Sequence, residues 1–328
     1  MTVRFSDAWQ LHGLQALVLE NARLRVTVLP ELGGKIWSIV AKAHDREMLW
    51  HHPRMPPRRA HYGATYDNWF CGGWDEVFPN DFPIEIDGES YPDHGEVWSL
   101  PARWQVGDSS DEAVSVSLEH AGIALPTCFR KVLTLRRDEP VLRLAYEIAN
   151  DGPAPLDVHW KTHPALPVTP GARLHLAIRR VIDDRDFGET FAERDFVWPI
   201  APRADGRTLD LRSLPDPDSG TSQFYYGVGL EAGYAAISYP GEGVGFGLAF
   251  DPILLNSVWI FGSYGGWRGL NTVILEPCTG YLANLEAAIA NRSVLTLAPH
   301  STVETTLTAS VLDGEAGITA FAANKGTR

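Results

Sequence analysis

Cysteine is scarce in this chain. Its 3 cysteines, Cys71, Cys128 and Cys278, lie far apart and form no C-x-x-C pair. So sparse and odd a set does not make a disulfide framework; reduced thiols, packed as small buried apolar groups in a cytoplasmic protein, are expected. Long apolar runs are missing too, and none approaches the roughly 18 residues that would suggest a membrane span. The opening Met1-Thr2-Val3-Arg4-Phe5-Ser6-Asp7 has no apolar h-region, so no secretory signal is expected. Basic charge is in deficit, with 28 Lys and Arg against 41 Asp and Glu and a net charge of −13. Nucleic acid and anionic membrane both require a basic footprint, so neither is expected as a partner. The acidic surface is read as serving solubility. The chain also lacks the G-x-S-x-G of serine hydrolases and the Walker loop. Gly33-Gly34 follows a strand without the dinucleotide fingerprint, and a tight turn accounts for it.

What the chain does have is strand periodicity. Leu24, Val26 and Val28 alternate with Arg23, Arg25 and Thr27, and Val114, Val116 and Leu118 alternate with Ser115, Ser117 and Glu119. A period of two marks a half-buried strand. Similar runs are expected at 132–135, 141–148, 156–164, 234–239, 245–250, 257–261, 272–275, 294–297 and 303–311. Turn formers separate them, for example Arg137-Asp138-Glu139-Pro140 and Asn150-Asp151-Gly152-Pro153. One short helix is predicted over 281–291, where Leu282, Leu285 and Ile289 recur at helical spacing. The charged, proline-rich stretch 179–222 is expected to make a long excursion over one face. Many strands with 30 Gly and 23 Pro between them predict an all-β fold, a large antiparallel β-sandwich. No linker or repeat interrupts it, so a single domain over 1–328 is expected.

Three segments carry candidate chemistry: Tyr91-Pro92-Asp93-His94-Gly95-Glu96-Val97-Trp98, Leu156-Asp157-Val158-His159-Trp160-Lys161-Thr162-His163-Pro164, and Ile274-Leu275-Glu276-Pro277-Cys278. On a strand, His159, Lys161 and His163 would leave one face, with Trp160 and Thr162 on the other. Two imidazoles and an ammonium in a row do not suit an apolar core, so that face should meet solvent, a ligand or a carboxylate. Glu276 closes an apolar strand before a proline, and partial desolvation there would raise its pKa. His159 and His163 would lie roughly 13 Å apart at about 3.3 Å per residue. That is too far for one zinc ion, although His94 could join either of them, and no metal is expected. Tryptophan is abundant, with 11 in the chain. Trp69 and Trp74 flank Cys71-Gly72-Gly73, Trp98 follows His94, and Trp267 sits in Gly265-Gly266-Trp267-Arg268. Such aromatic faces suit the C–H face of a sugar ring.

Taken in order, these blocks resemble the aldose 1-epimerases of the galactose mutarotase-like superfamily. The resemblance begins at residues 21–36 with Pro30-Glu31-Leu32-Gly33-Gly34-Lys35-Ile36 and continues through Met48-Leu49-Trp50. It then takes in Gly72-Gly73-Trp74-Asp75-Glu76-Val77-Phe78-Pro79-Asn80, Asp93-His94-Gly95, Thr162-His163-Pro164 and Leu275-Glu276-Pro277. It implies a large antiparallel β-sandwich that interconverts the α and β anomers of a free sugar without a cofactor. Glu276 would remove the anomeric proton, His163 would protonate the ring oxygen, and His94 would hydrogen-bond the ring side. Lys35, Trp74, Asp75, Glu76, His159, Lys161 and Trp267 are the expected substrate-binding residues. Galactose is not implied, because Glu96-Val97-Trp98 stands where typical galactose mutarotases carry an arginine and the next one here is Arg103. Asp183, Asp184 and Asp205 are candidates for the aspartate that binds ring hydroxyls.

Two other readings use the same residues. A carbohydrate-binding protein without catalysis would need neither the acid nor the base. A polysaccharide lyase or glycoside hydrolase could pair Glu276 with Asp75 or Glu76. In each case the partner is a small carbohydrate and the chain a monomer or homodimer. If Lys161 lines the cleft with Lys35 and Arg268, an anionic sugar is favoured; if Lys161 pairs with Asp75, Glu76 or another acid, it only orients that acid.

Overall fold

The computed structural model describes residues 2–326 apart from 87 and 189. Among them, every pairing between strands is antiparallel, and two large sheets hold most of the strands. The eight-stranded sheet is built on the alternating segments Ala113–Ala121, Thr127–Arg136, Val141–Asn150 and Ser301–Asp313, which pair side by side. Their apolar positions, including Phe129, Leu133, Leu144 and Leu307, face inward. The twelve-stranded sheet has at its centre Trp74–Val77, Lys161–Pro167, Asn271–Cys278, Ser257–Tyr264 and Thr221–Val228, in that spatial order. These five strands are buried on both faces. One face sends Trp74, Leu166, Val273, Leu275, Val258, Ile260 and Tyr225 into the core shared with the smaller sheet. The opposite face carries Asp75, Lys161, His163, Glu276, Trp259 and Phe261, and the segment holding Trp50, Tyr66 and Phe70 covers part of it.

Alternation within the short strand Trp74–Val77 therefore divides residues that the sequence grouped as substrate-binding. Trp74 is fully buried in the intersheet core, and Glu76 points the same way. The Glu76 carboxylate accepts from Lys131 Nζ at 3.3 Å, Tyr146 Oη at 3.0 Å and Trp160 Nε1 at 3.2 Å. Neither residue reaches the cleft on the other face. Burial pushes the Glu76 carboxyl up, and Lys131 pulls against that shift.

Three other expectations are corrected. The run 156–164 is not one strand. Leu156–Val158 pairs with Leu295–Leu297, and Lys161–Pro167 joins the large sheet. Between them His159 N donates to Pro79 O at 2.7 Å and Trp160 N to Thr279 Oγ1 at 2.9 Å, bonds that take the chain from one sheet to the other. The excursion 179–222 contains four strands, Arg180–Gly188, Asp195–Val197, Ile200–Pro202 and Thr208–Asp210, the first of which joins the large sheet. The helix predicted at 281–291 shortens to Leu285–Ala290, capped by Asn284, whose side chain accepts from Ala287 N. A second helix, Gly314–Gly326, was not predicted, because it has few large apolar residues to set a helical period. Ile318 and Phe321, three apart, anchor it on Ala236, Ala249 and Leu312. Cys71 and Cys278 are buried, Cys128 is partly buried, and none is paired. No helix among the described residues is long and apolar enough to cross a membrane.

Removing one partner of a fully buried ion pair strands the other charge, which costs about 3–5 kcal/mol. Glu76→Gln and Lys131→Met should each lower stability by that order, whereas the two substitutions together should cost less than the sum. Urea denaturation midpoints of the three variants check this, and strictly additive losses would show that the two charges are not coupled.

Candidate functional site

Strand register builds the site. His163 lies opposite Asp75 on one neighbouring strand, and the pairings of Lys161 with Cys278 and Ala165 with Ile274 put it opposite Glu276 on the other. Glu276 in turn faces Trp259, and Trp259 faces Tyr226. A row of side chains thus crosses five strands on one face: Asp75, His163, Glu276, Trp259, Tyr226. Lys161, two residues before His163, shares that face. Its ammonium is 2.7 Å from Asp81 Oδ1 and 2.5 Å from Glu276 Oε2, and lies 4.1 Å from the centre of the Trp259 ring. His163 Nε2 is 3.9 Å from Glu276 Oε2.

His94 reaches the row from a turn outside the sheet. Its φ is 58° and that of Gly95 is 70°, so two successive residues are left-handed. A Cβ on Gly95 would stand 2.1 Å from Phe78 O, which explains why glycine follows the histidine. His94 N donates to Asp81 O at 2.6 Å, and His94 Nδ1 is 2.8 Å from Asp93 Oδ1. The Tyr66 ring stacks on His94 at 4.0 Å, and the two imidazoles are 5.7 Å apart.

The cleft above encloses about 280 Å³. Its floor is polar, with Asp81, His94, Lys161, His163 and Glu276, and Phe70, Phe187, Phe224, Phe261 and Trp267 give it apolar walls. Such a pocket suits one small ligand. Burial pushes the Glu276 carboxyl up to about 7, against the pull of Lys161. Burial raises Asp81 as well, but Lys161 and His94 outweigh it and hold that carboxyl below its ordinary range. The Lys161 ammonium is disfavoured by burial and more than restored by Asp81 and Glu276, so it stays charged. The two imidazoles part company. Burial lowers His94, but Asp81 and the bonded Asp93 raise it above its ordinary value. Burial and the nearby cations Lys161, His94 and Lys35 take His163 well below its ordinary value, so it is neutral.

Of the residues named from sequence, His94, Lys161, His163, Glu276 and Trp267 line this cleft. Lys35 and Asp75 sit one layer behind it: Lys35 Nζ is 2.5 Å from Asp75 Oδ2, and Tyr66 Oη donates to the same oxygen at 2.8 Å. His159 does not line it. The break before Lys161 sends its ring, fully buried, against Trp259 and Gly280. Among the tryptophans, Trp98 packs edge-on to Tyr66 and Trp69 lies under Arg58, away from the cleft. Asp183 accepts from Phe191 N, Asp184 from Tyr226 Oη, and Asp205 pairs with Arg207 on the surface; none of the three lines the cleft. Lys161 pairs with Asp81 and Glu276, not with Asp75 or Glu76. Among the described residues lining the cleft it is the one Lys or Arg, so no unpaired ammonium or guanidinium awaits an anionic group. Arg268 instead donates to the Asp67 carbonyl and Asn68 near Trp267.

Sequence reasoning missed Asp81 and Tyr66. Asp81 follows the Phe78-Pro79-Asn80 block directly, and a polar pair after an apolar strand was a usable signal. Tyr66 lies in an irregular segment with no periodicity to read. Among the described residues, no group of three or more His, Cys, Asp or Glu is placed to hold a metal ion.

No family model matches the sequence. Solved structures match the fold. A candidate aldose 1-epimerase from Klebsiella pneumoniae aligns over 99% of this chain and 87% of its own, with a TM-score of 0.76 at 16% identity. A second candidate aldose 1-epimerase, from Escherichia coli K12, aligns over 92% and 100%, with a TM-score of 0.66 at 18% identity. A galactose mutarotase related enzyme from Lactobacillus acidophilus covers 91% and 98%, with a TM-score of 0.62 at 14% identity. The chain has the galactose mutarotase-like fold.

If the Lys161 cation holds Glu276 down to about 7, removing it must raise that value. In Lys161→Met the carboxyl of Glu276, followed by carbon NMR across pH, should titrate clearly higher than in the wild type. An unchanged midpoint would mean that burial alone sets it.

Proposed function

We propose that the chain opens and recloses the ring of a free, uncharged aldose in this cleft, interconverting its anomers. One observation carries the reading. A carboxyl titrating near neutrality, Glu276, shares the cleft with a histidine, His94, whose proton is held above its ordinary range. A carboxyl that titrates near neutrality and an imidazole that holds its proton more tightly than usual can take and return protons in one cycle. Ionised Glu276 removes the proton of the anomeric hydroxyl while an imidazolium gives one to the ring oxygen. The bond between the anomeric carbon and that oxygen breaks, leaving an open-chain aldehyde. Rotation about the adjacent carbon–carbon bond presents the other carbonyl face, the hydroxyl attacks it, and both protons return.

The resemblance gives the donor's place to His163. The electrostatics favour His94: burial and the nearby cations take His163 well below its ordinary value, whereas at His94 Asp81 and Asp93 outweigh burial and raise it. The aromatic walls offer apolar area to the C–H faces of the sugar. The absence of an unpaired Lys or Arg among the described lining residues supports an uncharged substrate. The shared fold with candidate aldose 1-epimerases supports the same reading.

A second reading, cleavage of a glycosidic bond, has one observation in its favour. Asp81 and Glu276 meet at one ammonium, too close together to hold a water between them as an inverting pair does, and their acidities are pushed apart. Aryl glycosides distinguish the two, since they can be hydrolysed but have no free anomeric hydroxyl to deprotonate.

The test is anomer exchange, followed by proton NMR on freshly dissolved neutral aldoses. Glu276→Gln keeps the shape but removes the base, and should slow exchange about 10²–10⁴-fold. The wild-type rate should rise with pH as Glu276 ionises, with a midpoint of about 7. Exchange continuing at the wild-type rate in Glu276→Gln, or hydrolysis of aryl glycosides without exchange, would sink the proposal.

A further inference from the structure

Tyr66 is the residue on which both imidazoles close. Besides stacking on His94, its ring meets His163 edge-on at 5.4 Å and 86°. Its hydroxyl is 2.8 Å from Asp75 Oδ2 and 3.2 Å from His163 Nδ1. Asp75 Oδ2 also takes Lys35 Nζ at 2.5 Å, and Lys35 is held in place by Gly72 O at 2.8 Å. All four side chains are nearly fully buried.

A phenol has one proton to give. If Tyr66 gave it to His163 Nδ1, two bare oxygens, those of Tyr66 and Asp75, would face each other at 2.8 Å inside the protein. Giving it to Asp75 removes that repulsion and makes a charge-assisted bond. Burial and Asp75 both keep the proton on Tyr66. The phenol oxygen is then an acceptor toward His163, and Nδ1 must donate.

We infer that the buried relay Lys35, Asp75, Tyr66 fixes His163 in its Nδ1–H tautomer, leaving the Nε2 lone pair open to the cleft floor as an acceptor. Because the ring is neutral, Nε2 carries no proton when Nδ1 does. Nε2 is the nitrogen 3.9 Å from Glu276 Oε2. Tyr66 is thus a positioning residue for His163. If the anomer-exchange reading holds, the relay makes His163 an acceptor for a sugar hydroxyl beside the base, complementary to the donor His94.

Nitrogen NMR of the full chain labelled with ¹⁵N-histidine tests this without any sugar, so it stands or falls separately from the anomer-exchange reading. The His163 signals are identified by their loss in His163→Asn. At pH 8 the wild type should show His163 with a protonated Nδ1 and a bare Nε2. Tyr66→Phe keeps the aromatic packing but removes the acceptor, and should lose that pattern. Asp75→Asn still offers the phenol an amide oxygen, and should retain it. A protonated Nε2 in the wild type, or an unchanged pattern in Tyr66→Phe, overturns the inference. If Tyr66→Phe fails to fold, the wild-type spectrum decides alone.

Discussion

The site depends on one buried ammonium. Lys161 stands between Asp81 and Glu276 with the Trp259 face beside it. Without it, two carboxylates would share one desolvated floor, and neither could stay ionised cheaply. With it, Asp81 remains a fixed negative charge that helps raise His94 above its ordinary value, and Glu276 is left near its titration point. Lys161 therefore sets the protonation of three neighbours through position alone, which is why its own charge is not free for a ligand.

The same device recurs on both faces of the strand Trp74–Val77. Lys35 is paired with Asp75 behind the cleft, and Lys131 with Glu76 in the intersheet core. Burying such pairs recovers little net stability, since desolvation offsets most of the attraction. What each pair does is fix a direction. Glu76 must face Lys131, Tyr146 and Trp160, so its neighbour Asp75 must face Tyr66 and Lys35. The core pair thus helps determine which face of the strand the site occupies.

Several strands with one wet face were legible in the sequence. Alternation marked strands at 23–28, 114–119 and 141–148, where Leu24–Leu29, Ala113–Ala121 and Val141–Asn150 form, because half of their residues must be apolar. The signal weakens in the five central strands, which are buried on both faces: the runs 257–261 and 272–275 were read, but Trp74–Val77 and Thr221–Val228 were not, and 156–164 was run together. The switch of sheets at His159 and Trp160 rests on bonds to Pro79 and Thr279, distant in sequence. Trp74 and Glu76 could not be assigned to a face without knowing which partner stood on each side. Tyr66 lies in an irregular segment, where no periodicity applies.

The sequence by itself determined the all-β class and the order of the short blocks that hold His94, His163 and Glu276. Both are local: one is a two-residue period, the other a string of turn formers and polar residues at strand ends. It could not determine that Asp75, His163 and Glu276 form one row, because register between strands 88 and 113 residues apart is set by packing of whole sheets. Nor could it say which imidazole holds its proton more tightly. His94 and His163 are the same side chain, and only the carboxylates around one, with the cations and the depth of burial around the other, make them chemically different.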